Sequence, residues 1–456
     1  MRMRMRLTFM YRWLFLLGFL LGNAYPVFAQ NTQLVRAQRI YEWFVAGQGD
    51  SIHVALNKDL QEKLAPAVFN DTFRQTEGAF GKLKSKGDWK TDNVGEVIIY
   101  YRDLEFERYN LRFMLAFDAD GGMNTIRLAP VPAASAAKSE SYDDTKLVEK
   151  AITVGADGFK LPGTLSIPKL AVTSGARKMP CVILVHGSGP NDRDETVGPN
   201  KPFRDLAWGL AERGIAVVRY DKRTKVYGVN SVPAGRVLDY DTEAVEDALA
   251  TVSQVSTFPE IAMDSIYVLG HSLGGTLAPR IAEKSKGLAG IIILAGLARP
   301  LEDTIEEQFA YISSLTDSAA NSKAQLTELR RQVTNVKKLG TDTFNKQIPL
   351  PLNMPRSYWE FANHYKPVEI AAHLKLPIFV LQGERDYQVT MEDFSLWRSG
   401  LLSCKNACFK SYPKLNHLLQ EGSGKSTPFE YTQASPVPSY VIDDIAFFVR
   451  GGRDFL

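Results

Sequence analysis

"IYVLGHSLGGTLAPRIAEK", residues 266–284, passes from large apolar side chains through Gly270-His271-Ser272-Leu273-Gly274-Gly275 into a stretch with helical spacing. A strand that ends at Gly270 and a helix that starts at about Leu273 leave Ser272 on the turn between them. Gly270 and Gly274 relieve the crowding of such a strained turn, and the serine hydroxyl stays exposed beside a helix N-terminus. The plain alternative is a glycine-rich loop that happens to hold a serine, since composition alone yields a G-x-S-x-G match on the order of 0.15 times in a chain this long. The motif must be supported by its surroundings and by partners elsewhere.

The surroundings supply a sheet. From about Lys146 onward, "CVILVHG", "IAVVRYD", "IYVLGHS", "GIIILAG", "PIFVLQGERD" and "ACFKSYP" alternate with helical stretches. Continuous Val/Ile/Leu runs bounded by glycine indicate a mainly parallel, doubly wound α/β sheet buried on both faces. Ahead of it, "KAITVGADGFKLPGTLSIP" reads as two paired strands around an Asp-Gly turn. The alternation breaks between "IIILAG" and "PIFVLQG", where the connection is far longer than usual. Ile305, Phe309, Ile312 and Leu315 form one helical stripe there, and Leu326, Leu329, Val333 and Val336 a second. This stretch, about 297–374, is expected to be a helical lid over the C-terminal edge of the sheet.

A serine hydroxyl needs a base to take its proton, and the base needs an acid to fix its tautomer. The chain has six histidines. His53 lies outside the sheet region, His364 and His373 belong to the lid, and His186 and His271 flank tight turns. Only His417, in "YPKLNHLL", follows the last expected strand, where strand C-termini gather. "GERDYQV" offers Asp386 as the acid, with Glu384 as the fallback. The resulting order Ser, Asp, His is that of α/β-hydrolases. Glycines around Ser188 in "HGSGP" free a backbone N–H that pairs with the N–H of Leu273 as an oxyanion hole. Asp192, Arg193, Asp194 and Glu195 read as a salt-bridged loop rather than a metal site. Asp221, Lys222 and Arg223 are expected to support the edge of the site.

"HGSGPNDRDE", "VVRYDKRT", "GHSLGG" and "GERDYQV" resemble the secreted bacterial carboxylesterases of the α/β-hydrolase superfamily that carry an extra N-terminal domain. The similarity runs from about Lys150 to the C-terminus. It implies Ser272 as nucleophile, Asp386 and His417 as its partners, Ser188 and Leu273 as oxyanion donors, and no cofactor or metal. The leading expectation is hydrolysis of a small-molecule ester. A peptidase of the prolyl-oligopeptidase type, a thioesterase or lactone hydrolase, and a non-catalytic binding protein with this fold are the alternatives. The first of these normally carries a β-propeller, for which the N-terminal region is too short.

That region divides further. Residues 1–29 run from "MRMRMRLTFMYR" through the apolar "WLFLLGFLLG" to "VFA", the order of a secretory signal peptide cleaved after Ala29. Without Arg2, Arg4, Arg6 and Arg12 the formal net charge drops from +3 to −1. The expectation is an exported protein with no nucleic-acid footprint and no stable membrane anchor. Residues 30–127 begin with an amphipathic helix carrying Ala37, Ile40, Tyr41, Phe44 and Val45. They end in two strands, the first with Leu111, Phe113, Leu115 and Phe117 on one face, joined at Gly121-Gly122. This is a small α+β domain, a candidate binding or dimerisation module. Residues 128–145, rich in Ala, Ser and Pro, read as a linker to the catalytic domain at 146–456. Cys404 and Cys408 are spaced for a short-loop disulfide in an oxidising compartment, while Cys181 reads as a buried thiol.

Overall fold

The computed structural model describes residues 25–94, 97–107, 110–131, 143, 145–169, 178–315 and 319–455. The chain divides into two compact units that change over between Val131 and Pro132. The segment read as a signal peptide lies outside the described residues up to position 24, and helix α1 (Tyr25–Val45) covers the rest of it.

In the first unit α1 is followed by shorter helices between Gly49 and Phe80 and then by five strands: β1 (Leu83–Lys86), β2 (Lys90–Val94), β3 (Val97–Phe106), β4 (Asn110–Phe117) and β5 (Met123–Pro130). All pairings in this sheet are antiparallel. Its core joins Ala37, Ile40, Tyr41 and Phe44 of α1 to Leu111, Phe113 and Leu115 of β4. Alternate side chains of a strand share a face, so this spacing puts three large residues of β4 against one helix. β5 runs through Leu128 to Pro130, into the stretch read as a linker. Residues 132–142 and 144 of that stretch lie outside the described residues.

The second unit is built on β6 (Leu147–Val154), β7 (Leu161–Pro168), β8 (Met179–Val185), β9 (Ala216–Tyr220), β10 (Ile261–His271), β11 (Leu288–Leu294), β12 (Ile378–Gly383) and β13 (Ala407–Tyr412). Their order across the sheet is β13-β12-β11-β10-β8-β9-β7-β6. Only β7 runs against its neighbours. This is the α/β-hydrolase fold. The apolar runs are unbroken because both faces are covered. Cys181, Ile183 and Val185 of β8, with Ile266 and Val268 of β10, enter one core, and Val182, Leu184, Tyr267 and Leu269 enter the other. Each such fully buried aliphatic side chain contributes about 1.5–3 kcal/mol. Helices α2 (Pro202–Glu212) and, near the C-terminus, Ser439–Val449 cover the second face. Helices α3 (Glu246–Val255) and α4 (Leu273–Lys284) cover the first.

From β8 the chain crosses to β9 on one side and later to β10 on the other. This leaves a crevice beyond the C-terminal ends of β8 and β10, the place where open α/β sheets bind ligands. Register aligns Gly270 of β10 with Val185 of β8 and Ile293 of β11. The lid region holds α5 (Leu301–Ser314) and α6 (Ala319–Val336), then two shorter helices, Arg356–His364 and Pro367–His373. The first expected stripe is not a buried seam: Ile312 and Leu315 are exposed, and the deeply buried side chains of α5 are Glu302 and Thr304. In the second stripe Val333 and Val336 are buried.

The expected disulfide is absent. Cys404 and Cys408 are free thiols. Cys408 lies in β13, with its sulfur on the Ile378 carbonyl of β12, while Cys404 precedes the strand and turns its sulfur to the Ala372 carbonyl. Each sulfur thus faces a backbone carbonyl of its own rather than the other sulfur.

Candidate active site

β10 extends one residue further than its apolar pattern, to His271, and α4 begins at Leu273. Ser272 between them adopts φ 54° and ψ −118°. A non-glycine residue in such a conformation is strained and is held by its surroundings. The two glycines are sterically required. A Cβ on Gly270 would lie 2.0 Å from the Gly274 carbonyl oxygen, and one on Gly274 would lie 2.1 Å from that of Val185. The turn therefore packs backbone directly on backbone, and the Ser272 N–H donates to the Leu294 carbonyl at 2.9 Å.

The histidine and its acid come from the next strands. His417 sits in a tight turn after β13, where Asn416 is fully buried and accepts from the amides of Leu418 and Gln420, both at 3.0 Å. His417 Nδ1 lies 2.6 Å from Asp386 Oδ2. The other Asp386 oxygen accepts from the amides of Gln388 at 2.7 Å and Val389 at 3.1 Å, and Gln382 donates to Oδ2 at 3.2 Å. Every partner is a donor, which suits a carboxylate. Glu384, the fallback, is exposed and accepts from Ser411 at 2.7 Å. With a carboxylate at Nδ1, the neutral imidazole carries its proton there and keeps a lone pair at Nε2. Ser272 and His417 line the same cavity of about 770 Å³, together with Ser188 and Leu273. Its apolar wall includes Leu297, Leu301, Ile305 and Met354 from the lid region.

The loop after β8 is arranged around one amide. The Gly187 N–H is taken by Glu195 Oε1 at 2.7 Å. The Ser188 N–H has no acceptor among the described residues, and the Leu273 N–H, at the start of α4, has none within its helix. Gly187 also lets the loop approach Ser272, since a Cβ there would come within 3.1 Å of Ser272 Cβ.

Residues read as peripheral prove to be structural parts of the site. Arg193 and Asp194 pair with Asp221 and Lys201 as a salt-bridged loop would, but Glu195 turns inward. Its Oε2 meets His271 Nδ1 at 2.8 Å, and His271 Nε2 meets the His417 carbonyl at 2.9 Å. A carboxylate on one nitrogen and a carbonyl on the other both favour the imidazole that donates from both, the cation. Burial works against that charge, but the Glu195 carboxylate and the two hydrogen bonds outweigh it and raise the His271 pKa. Burial also opposes the Glu195 charge, and the facing His271 lowers its pKa below the ordinary value. His186 differs: burial pushes its pKa down to about 4. Among the other residues, His53 bonds the Gln61 carbonyl, and His364 and His373 are exposed on their helices. Arg223 is fully buried and donates to both oxygens of Asp247. No group of His, Cys, Asp and Glu among the described residues is arranged to hold a metal ion. No helix among them is long and apolar enough to cross a membrane.

Residues 180–422, just over half of the chain, match the serine aminopeptidase S33 family. The chain belongs to that family. Residues 37–125 of this S33-family chain match a second family, described as a protein of unknown function, DUF3887. Esterase EstD of Thermotoga maritima is 38% identical over 351 residues, covering 77% of this chain and 79% of that protein. Solved structures similar to the S33-family chain include Est1E from Butyrivibrio proteoclasticus, at 17% identity and TM-score 0.42 over 66% of this chain and 98% of that one. The esterase Pf2001 of Pyrococcus furiosus is 15% identical, with TM-score 0.44 over 69% and 94%.

Proposed function

We propose that this S33-family chain, a carboxylesterase of the α/β-hydrolase type, works through an acyl-enzyme on Ser272. His417 Nε2 takes the hydroxyl proton as Ser272 Oγ attacks the ester carbonyl. The tetrahedral oxyanion is held by the amides of Ser188 and Leu273. His417 then returns the proton to the leaving alcohol, and water repeats the sequence on the acyl group. Asp386 orients His417 and stabilises its charged form. The observation that carries this reading is the bond of 2.6 Å between His417 and a buried carboxylate on the cavity that Ser272 lines. The match to an esterase along most of both chains supports the ester as substrate.

The substrates are small esters met outside the cytoplasm, a reading that rests on the charged, apolar, small-residue order of residues 1–29. A mature N-terminus at Gln30 in exported protein, read by mass spectrometry, is the expected result, and an intact Met1 would remove it. The reaction is tested by turnover of p-nitrophenyl esters of increasing acyl length, beside Ser272→Ala. Turnover that vanishes in the variant supports the mechanism. Activity that survives removes Ser272 as nucleophile, and a parent that turns over peptides or thioesters but no ester moves the substrate class.

A further inference from the structure

The peptide unit between Gly187 and Ser188 carries the N–H assigned above to the oxyanion. The carbonyl at its other end, Gly187 O, accepts from the Lys222 ammonium at 2.8 Å and from Asn191 Nδ2 at 3.1 Å. Lys222 is 3% exposed. It comes from "YDKRT", two residues past the end of β9, and β9 is the immediate neighbour of β8 in the sheet. Its ammonium is held from behind by Glu243 Oε1 at 2.6 Å, and the other Glu243 oxygen accepts from Tyr358 at 2.9 Å. Glu243 sits in a π-helical turn, Asp241–Val245, a distortion often found at functional sites.

In a trans peptide the C=O and N–H of one unit point in opposite directions. Fixing Gly187 O therefore fixes where the Ser188 N–H aims. Such a restraint is needed, because Ser188 is flanked by glycines and Gly189 stands at φ 91°, so the loop has little intrinsic preference for one orientation of this peptide. A positive charge on the carbonyl also polarises the unit and makes its N–H a stronger donor. Asn191 alone would restrain direction. A buried ammonium is expensive to desolvate, and what it adds is charge.

We propose that Lys222 is a positioning residue for the oxyanion hole, pinning and polarising the Gly187–Ser188 peptide so that its N–H faces the developing negative charge. The proposal rests on the reading of Ser272 as nucleophile and Ser188 as donor. A purely structural Lys222–Glu243 pair would affect folding and substrate binding without singling out the transition state.

The test compares Lys222→Met and Lys222→Met/Glu243→Gln, the second leaving no buried carboxylate without its cation. The readouts are kcat, KM and the inhibition constant of a long-chain trifluoromethyl ketone, whose hemiketal with serine places an oxyanion in the hole. A kcat about ten- to hundredfold lower, KM nearly unchanged and inhibition weakened by the same factor as kcat/KM are expected, somewhat less than loss of a whole donor. A folded double variant with kcat and inhibition close to the parent overturns the proposal, as does a rise in KM with inhibition unaffected. If neither variant folds, Asn191→Ala decides it: a smaller but parallel loss in kcat and inhibition supports the pinned peptide, and no loss in either rejects it. Ser272→Ala that still hydrolyses esters would instead overturn the nucleophile reading, a failure separable from this one.

Discussion

At the scale of the residue, two carboxylates separated by a single residue differ in their surroundings. Asp386 collects four donors in a buried turn, while Glu384 points to solvent and a serine. Asp386→Asn is expected to lower kcat by about 10⁴-fold, because the amide cannot hold His417 in the required tautomer. Glu384→Gln is expected to hydrolyse p-nitrophenyl esters like the parent, and the reverse ranking would move the acid to Glu384. The buried histidines divide in a similar way. His271 has a raised pKa, so its contribution to stability is complete below the unfolded value near 6.5 and is lost as pH rises through the folded one. Glu195, lowered, contributes above its unfolded pKa and loses that contribution as pH falls through its folded one. His186, pushed down to about 4, stays neutral while the unfolded chain takes up a proton below about 6.5. Between pH 6.5 and 5 this one group should cost the fold about 2 kcal/mol. Urea unfolding at the two pH values should show His186→Leu losing less stability on acidification than the parent does. Equal losses in both would mean that His186 does not titrate in this way.

At the scale of the element, the strand-to-helix turn at Ser272 is the most legible part of the chain because its demands are local. Gly270 and Gly274 stand out in the sequence, and the structure shows backbone where their Cβ atoms would be. Gly274→Ala is accordingly expected to lower stability by about 1–3 kcal/mol and to reduce kcat, since relief requires the turn to shift away from β8. A parent-like denaturation midpoint and kcat would show that the turn is slack. The strands of the large sheet were legible for the same reason, as runs buried on both faces and bounded by glycine. What was not legible depends on partners far along the chain. Glu195 looks like one more charge in a salt-bridged loop until the fold brings His271 to it from 76 residues away. The stripe of α5 obeys the helical period but has no partner for Ile312 and Leu315, so periodicity overstated its burial. The helices between Gly49 and Phe80 are too short, at four to nine residues each, for a period to emerge.

At the scale of the molecule, each unit closes a hydrophobic core from its own residues. One is assembled from α1 and the antiparallel sheet, and the others lie on the two faces of the β6–β13 sheet. Ser272, Asp386, His417, Ser188, Glu195 and Lys222 all belong to the second unit, as do the lid residues that line the cavity with them. Its roughly three hundred residues exceed what a self-sufficient core requires. A chain beginning at Ser139 is therefore expected to fold alone and to hydrolyse short p-nitrophenyl esters with kcat within about twofold of the full chain. Its circular dichroism melt should be a single cooperative transition, and loss of activity should track that transition. If the shortened chain is folded but inactive, the first unit takes part in forming or reaching the site. If it fails to fold, the separate cores are not independent units of stability. If it is active and monomeric where the full chain is a dimer, the first unit is the dimerisation module.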